Sequence, residues 1–376
     1  MQLILSIAIL LTLLTSLYIV VRWGNLRCEG SMPTSLFTFS AILFTSGLDV
    51  GLIMFPLTEF PLFEQDEAYN FANPLAMEFG FWGFLVWTFY FLTTFYFCVV
   101  EPRVKLFEIP IIRLLNNLVI ISTCSFTGYL FLSYLPSYID GISAPLQYSL
   151  VAIVVLFAVL SSTDVKYVKI LSISSTWVFF ALIAGMWLAS DMGFIGFTAN
   201  AAMLSEYFTN IHHFVTPITD THAFYLFWWF SWSIMIGQFV ARFLSAMKTW
   251  QLLLALMIIP SIPIAVWFSV LYYYHTNAIE INGVIKLAMV TVGIVFVMNS
   301  LDSLIRLYTV NLNLTMDTIG KRNYILGNWI TMFGLILIYN FTPFKIEWVG
   351  LIVIGIYAAI YALLFTKRND QVLMDS

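Results

Sequence analysis

Charge is what this chain has least of. Only 10% of its 376 residues are Asp, Glu, Lys or Arg, while 61% are hydrophobic, and a chain so composed cannot present an ordinary solvated surface. No basic tract interrupts it and its formal net charge is −4, which excludes the electrostatic footprint of a nucleic-acid binder. Cysteine is scarce too. Cys28, Cys98 and Cys124 are scattered in or beside apolar runs, with neither a disulfide framework nor metal-ligand spacing. The four histidines add no metal site: His212 and His213 are adjacent and cannot point the same way, and His222 and His275 stand at the ends of apolar runs. No nucleophile and base pair suggests an enzyme. No stretch reads as a soluble domain or a low-complexity linker. What remains is a polytopic membrane protein.

Eleven apolar runs are long enough to cross a hydrocarbon core of about 30 Å. They lie near 3–22, 35–57, 81–100, 110–136, 145–162, 172–193, 221–245, 250–273, 285–308, 322–340 and 346–366. The first has no positively charged start and no small-residue cleavage site after it, so it reads as a retained helix rather than a signal peptide. If the loop after it is cytoplasmic, 14 of the 16 Lys and Arg lie inside and only Lys286 and Lys345 outside. The positive-inside rule then puts the N-terminus outside and the C-terminus in the cytoplasm. Residues 58–80 carry Glu59, Glu64, Asp66, Glu67 and Glu78 and no basic residue; they are expected to form a solvated external loop rather than a funnel for cations. Residues 200–213 have apolar side chains at helical spacing and are expected to lie along the outer surface as an amphipathic helix.

Aromatic residues make up 18% of the chain, and two groups of them are placed to form walls. In the seventh run, Trp228, Trp229 and Trp232 fall within about 100° of one another on a helix. Trp229 and Trp232 lie roughly 12 to 16 Å into the span at 1.5 Å per residue, too deep for an interfacial aromatic belt. Clustered indole faces suit an organic cation, each ring contributing about 0.5 to 2 kcal/mol to a quaternary ammonium that can form no hydrogen bond. In the third run, Trp82, Trp87 and Tyr90 fall at about 0°, 140° and 80°, a second broad face.

Two runs are irregular where lipid tolerates irregularity only around a cavity. The second carries Gly47, Asp49 and Gly51 before Pro56, and the seventh is expected to break at Ser231, Trp232 and Ser233 before Gly237. Counted from the second run, these are the first and sixth of ten helices, the pattern of an inverted repeat with a midplane site. Asp49 could serve as counter-charge to a cation, proton carrier, sodium ligand or helix cap. The ninth run places Asn299, Ser300, Asp302 and Ser303 inside the membrane. Its Asn299 and Ser300 offer neutral oxygens to a hard cation such as sodium, and its intramembrane aspartate is itself a site candidate.

These residues carry a resemblance. Residues 224–243, FYLFWWFSWSIMIGQFVARF, resemble the signature of the betaine/choline/carnitine transporter family, roughly FYWAWWxSWxPFVGxFxARI. The run FTSGLDVGLIMFPLTEF at 44–60 is similar to that family's FAAGMGIGLMFYGxxEP, Trp82, Trp87 and Tyr90 reproduce its Trp-x4-Trp-x2-Tyr spacing, and VMNSLDS at 297–303 resembles FVTSADS. The resemblance runs from the second span to the eleventh. It implies a ten-helix inverted repeat, secondary transport or exchange of trimethylammonium compounds through an aromatic box, and commonly a homotrimer. By the same resemblance the box is Trp82, Trp87, Tyr90, Trp228, Trp229 and Trp232, and the sodium site falls on Thr45, Leu48, Phe296, Asn299 and Ser300. The chain departs from the pattern at Asp49, which replaces the middle glycine, at Asn299, which replaces a threonine, and at Ile234, which replaces a proline. Family members usually have twelve spans, and the short tail here speaks against osmotic sensing through it.

The chain is therefore expected to be an all-α integral membrane protein of eleven transmembrane helices, ten of them a 5+5 inverted-repeat core of leucine-transporter type. Residues 1–34 form a peripheral first helix and cytoplasmic loop, and 35–376 the transport core. It is expected to sit among the lipids of a bacterial inner membrane, bind no nucleic acid, and import a quaternary ammonium solute of the choline, glycine betaine or carnitine class by alternating access. Asp49 joins the six aromatic residues as a substrate contact, and sodium or a proton is the coupling ion, with no other cofactor. The alternatives are a substrate/product exchanger and a non-transporting receptor for the same ligand, which would need a cytoplasmic output domain.

Overall fold

A computed structural model describes residues 1–48 and 50–366. Nearly all of it is helix, because in hydrocarbon a helix satisfies every backbone N–H and C=O within its own segment. Helix α1 (Gln2–Trp23) is followed by α2 (Leu36–Gly47), α3 (Gly51–Met54), α4 (Pro56–Gln65), α5 (Pro74–Trp82), α6 (Trp87–Phe95) and the short α7 (Glu101–Val104). Then come α8 (Pro110–Tyr138), α9 (Ala144–Ser161), α10 (Val165–Ala189), α11 (Phe194–Met203), α12 (Ser205–Thr209) and α13 (Asp220–Val240). The remainder is α14 (Thr249–Ile258), α15 (Ser261–Thr276), α16 (Gly283–Asn311), the short α17 (Met316–Ile319), α18 (Lys321–Phe341) and α19 (Ile346–Thr366). One two-residue ladder, β1 (Arg27–Cys28) against β2 (Met247–Lys248), is antiparallel and ties the loop after α1 to the start of α14.

Among the described residues ten helices are long and apolar enough to cross a membrane, which makes this a multi-pass membrane protein. The second of the eleven expected runs is not one of the ten, because it is divided into α2, α3 and α4, with Leu48 extended at φ −123° and ψ 158°. That interruption is where the glycines placed it. The span containing α13 is the most enclosed, with 89% of its membrane window buried against 28–67% for the others. It packs on α6, α8 and α19, while α16 packs on α2, α8, α9 and α10. Helix α1 is peripheral, presenting Leu3, Ile7, Leu10, Leu14 and Leu17 outward.

Four expectations are corrected. The seventh run does not break: α13 is continuous from Asp220 to Val240. Ser231 and Ser233 donate their hydroxyls to the carbonyls of Trp228 and Phe230, each at 2.7 Å, which keeps both serines satisfied inside an intact helix. Gly237 is a packing position and not a hinge, since a Cβ there would lie 2.2 Å from the Thr93 Oγ1 of α6. The second broken span is instead the third run, interrupted between α5 and α6, which also undoes the single-helix angles assigned to Trp82, Trp87 and Tyr90. Finally, residues 58–80 are not an external loop: Pro56 and Pro74 sit in the first turns of α4 and α5, and Asn73 caps α5 by accepting the N–H of Ala76 at 3.0 Å. The expected amphipathic helix at 200–213 is divided into the end of α11, α12 and a 3-10 turn beginning at Ile211, with Tyr207 buried against α5.

Small residues let membrane helices approach closely. Gly237→Ala should therefore lower stability by about 1–3 kcal/mol through overpacking on Thr93, whereas Gly185→Ala on the exposed face of α10, where a Cβ meets nothing within 4 Å, should be neutral or slightly stabilising. Thermal unfolding midpoints of the two purified variants in one detergent check this; equal midpoints would contradict the packing role.

Candidate functional site

The interruption of the third span builds the site. Helix α5 ends at Trp82, Gly83 turns extended at φ −110° and ψ 168°, and Phe84 adopts a left-handed φ of 50° before α6 begins at Trp87. Gly83 is required by crowding, because a Cβ would fall 2.7 Å from the Phe79 ring and 3.0 Å from its carbonyl oxygen. Backbone polar groups freed inside a membrane protein need partners, and they have them. Phe84 N–H donates to Ser261 Oγ at 2.8 Å and Leu85 N–H to the Tyr207 hydroxyl at 3.3 Å. At the carbonyl end, Trp229 Nε1 donates to Phe81 O at 2.7 Å and Trp87 Nε1 to Trp82 O at 3.0 Å. Two indole N–H groups thus cap the broken end of α5 and fix the planes of their own rings.

Around that cap five rings converge. Trp82 meets Trp228 at 5.3 Å between centroids and 84°, and Trp229 at 5.9 Å and 83°. Trp229 meets Trp87 at 6.1 Å and Tyr90 at 5.6 Å, and Trp87 meets Tyr90 edge-on at 5.1 Å and 87°. All five are buried. The two walls drawn from the sequence therefore face each other, one on α5 and α6 and the other on α13. Trp232 is buried one turn further along α13 and has no ring contact with the other five among the described residues. In edge-to-face packing each ring's negative face is satisfied by another's positive edge. A cation can enter this array only by replacing such an edge, which requires the walls to part. Among the described residues the indole N–H groups of Trp82, Trp228 and Trp232 have no hydrogen-bond partner of ordinary geometry.

Several neighbours escaped the sequence reading. Phe55, from the α3–α4 junction, packs on Trp82 at 6.0 Å and Trp228 at 6.1 Å and stacks on Tyr134 at 4.1 Å and 25°. Tyr225 packs on Trp82 and Trp228 and donates its hydroxyl to Glu59 Oε2 at 2.6 Å. In so aromatic a chain neither residue is distinguishable by composition. A cavity of about 270 Å³ lined by Phe126, Tyr134, Phe224, Lys345 and Glu347 lies beside these rings, and Phe126 and Phe224 also touch Trp228.

The five positions named for a coupling ion are all buried, and α2 and α16 are in contact. Ser300 Oγ donates to the Leu48 carbonyl at the interruption, at 3.1 Å, and Phe296 packs on Phe44 of α2 at 6.0 Å. Thr45 donates to Ala41 O within its own helix at 2.7 Å. Asn299 turns away: its Oδ1 accepts from Ser172 of α10 at 2.9 Å and its Nδ2 has no partner among the described residues. Asp302 accepts hydroxyls from Ser161 and Ser303, a link between α16 and α9. Asp49 lies outside the described residues.

No family profile matches the chain. A glycine betaine transporter of Vibrio parahaemolyticus is 28% identical over 138 residues, which cover 33% of this chain and 25% of that transporter. The match thus spans about a quarter of that relative's length. Among solved structures, a Na+-coupled sialic acid symporter in a substrate-bound outward-open state aligns over 97% of this chain and 80% of its own, at 14% identity and a TM-score of 0.40. That score is too low to define a shared fold.

If the indole caps hold the interruption, Trp229→Phe, which keeps a ring but removes the donor to Phe81 O, should lower stability by about 1–3 kcal/mol. Trp232→Phe, which removes an N–H with no partner, should cost clearly less. Unfolding midpoints decide, and equal losses would contradict the capping role.

Proposed function

We propose that this protein is a secondary transporter of quaternary ammonium solutes, carrying choline, glycine betaine or a related compound across a bacterial inner membrane by alternating access. One observation carries the reading: five aromatic side chains on two separate walls converge inside a bundle of membrane helices, at a broken helix. Trimethylammonium groups are bound by ring faces and by little else that a membrane interior offers. The partial match to a glycine betaine transporter supports the class of molecule carried. For a net cation the membrane potential contributes about 2.3 kcal/mol per 100 mV toward import. The box is Trp82, Trp87, Tyr90, Trp228 and Trp229, with Trp232 one turn beyond it, and Asp49, outside the described residues, is a further proposed substrate contact.

Coupling to sodium has less geometry behind it. Thr45, Ser300 and the Leu48 carbonyl offer oxygens between α2 and α16, but a hard cation prefers about six, and Asn299 would have to release Ser172 to add its own. Ser300→Ala should abolish any sodium stimulation of uptake, and uptake that runs equally well without sodium rejects this part of the proposal.

Replacing Trp229 by Leu removes the ring quadrupole and keeps apolar character. Affinity for choline, measured by calorimetric titration of purified protein, should fall at least about tenfold, or about 1.4 kcal/mol. Trp229→Phe loses the same N–H but keeps a ring face, so its affinity should fall less than that of Trp229→Leu. Equal affinities for Leu and Phe variants would remove this ring from the site.

A further inference from the structure

Two carboxyl groups lie where the sequence suggested a solvated loop. Glu59 on α4 is 6% exposed and Glu78 on α5 is 0% exposed. The two face each other, and Glu78 also faces the indole N–H of Trp82. Among the described residues neither oxygen of Glu78 has a hydrogen bond of ordinary geometry, and the same is true of Trp82 Nε1, itself 1% exposed. Glu59 takes the Tyr225 hydroxyl at 2.6 Å. Among the described residues no Lys, Arg or His forms an ion pair with either acid; the three ion pairs are Lys105 with Glu108, His275 with Glu64, and Lys286 with Asp140.

An ionised carboxylate can only accept hydrogen bonds. Two of them facing each other in a ring-lined interior repel, and a proton placed between them supplies the missing donor. Two carboxyls and a phenol offer a sodium ion fewer than the about six oxygens a hard cation prefers, and the Tyr225 hydroxyl is already engaged with Glu59. The pair is also electrically in view of the aromatic walls: Glu78 adjoins Trp82, and Tyr225 joins Glu59 to Trp82 and Trp228. A second positive charge arriving at those rings and a proton on the acids oppose each other through a low-dielectric medium.

We propose that the Glu59–Glu78 pair is a proton site in competition with the substrate cation, so that binding of a quaternary ammonium at the aromatic walls expels a proton and leaves a carboxylate as its counter-charge. The O–H bond of the acid breaks, its electron pair stays on the carboxylate and the proton passes to water, by way of Glu59, which keeps some exposure. This deepens the transport reading and rests on it. Glycine betaine, which carries its own carboxylate, should expel fewer protons than choline.

Other titratable groups surround the pair. From α13 come Tyr225 and His222, whose Nδ1 accepts the N–H of Ile218 and so carries no proton. Tyr134 of α8 faces it across Phe55, Tyr69 and Glu67 lie in the turn after α4, and Glu206 of α12 is engaged with Asn73 N–H. Tyr272 and His275 of α15 pack on Phe60, the latter paired with Glu64 at the surface, while His212 and His213 lie beyond α12. His275 and Glu64 form the ion pair nearest the two acids, so variants must separate that pair from Glu59 and Glu78.

The test is calorimetric titration of the purified full-length protein with choline chloride in two buffers of different ionisation enthalpy, between pH 5.5 and 8. The wild type should release up to about one proton per choline, with Kd rising by as much as about tenfold per pH unit on the acid side. Glu78→Gln and Glu59→Gln should each abolish the release and flatten the pH profile, while Glu64→Gln should behave as wild type. Choline binding without proton release, or release undiminished in both glutamine variants, overturns the inference and leaves the transport reading standing. Absence of choline binding at every pH overturns both.

Discussion

The arrangement depends on one pair of hydrogen bonds: the indole N–H groups of Trp229 and Trp87 on the carbonyls of Phe81 and Trp82. A helix broken inside a membrane exposes carbonyls that lipid cannot satisfy. Here the donors come from the same aromatic residues that form the walls, so breaking the helix and building the site are one structural event. The cap holds Trp82 at the end of α5, turns Trp87 to the start of α6 and locks Trp229 of α13 across the gap. Loss of either bond would leave a buried acceptor without a partner, the costlier way for a hydrogen bond to fail.

The cap also explains why the rings close on one another. With Trp229 held to α5, Trp82 meets both Trp228 and Trp229 nearly at right angles. Opening the array for a cation means moving α5 and α6 relative to α13, and the contacts at stake reach Phe55 and its stack on Tyr134. Parting of the walls is therefore linked to the α3–α4 segment and to the cavity beside Tyr134 and Phe126. Gly237 seated on Thr93 ties α13 to α6 further along both helices. Movement of the walls is accordingly a movement of packed helices.

Much of this was legible in the sequence, and the failures have physical causes. The apolar runs placed the membrane helices, and the glycines flanking Leu48 and Val50 placed the interruption of the second span. Five of the six rings marked by the tryptophan spacing meet in the structure as packed aromatics. Ser231 and Ser233 misled because serine reads as a helix breaker by composition, although in a buried helix its hydroxyl returns to a carbonyl of the preceding turn. The interruption at Gly83 was missed because one glycine between Trp82 and Phe84 resembles any other in an apolar run, and its need arises only from Phe79 packing back on it. Glu59 and Glu78 were read as solvated because acidic residues without bases usually are. Pro56, Asn73 and Pro74, good helix starts in the same stretch, were the signal that these acids belong to buried helices.

The central claim is that two facing aromatic walls carry a quaternary ammonium solute across the membrane. Uptake of radiolabelled choline and glycine betaine into proteoliposomes containing the purified protein, with sodium and proton gradients and membrane potential varied one at a time, tests it most directly. The account predicts protein-dependent accumulation of a trimethylammonium compound, competed by unlabelled compound and lost when Trp229 is replaced by Leu. Uptake no greater than in protein-free liposomes under every gradient, or uptake indifferent to Trp229, would contradict it.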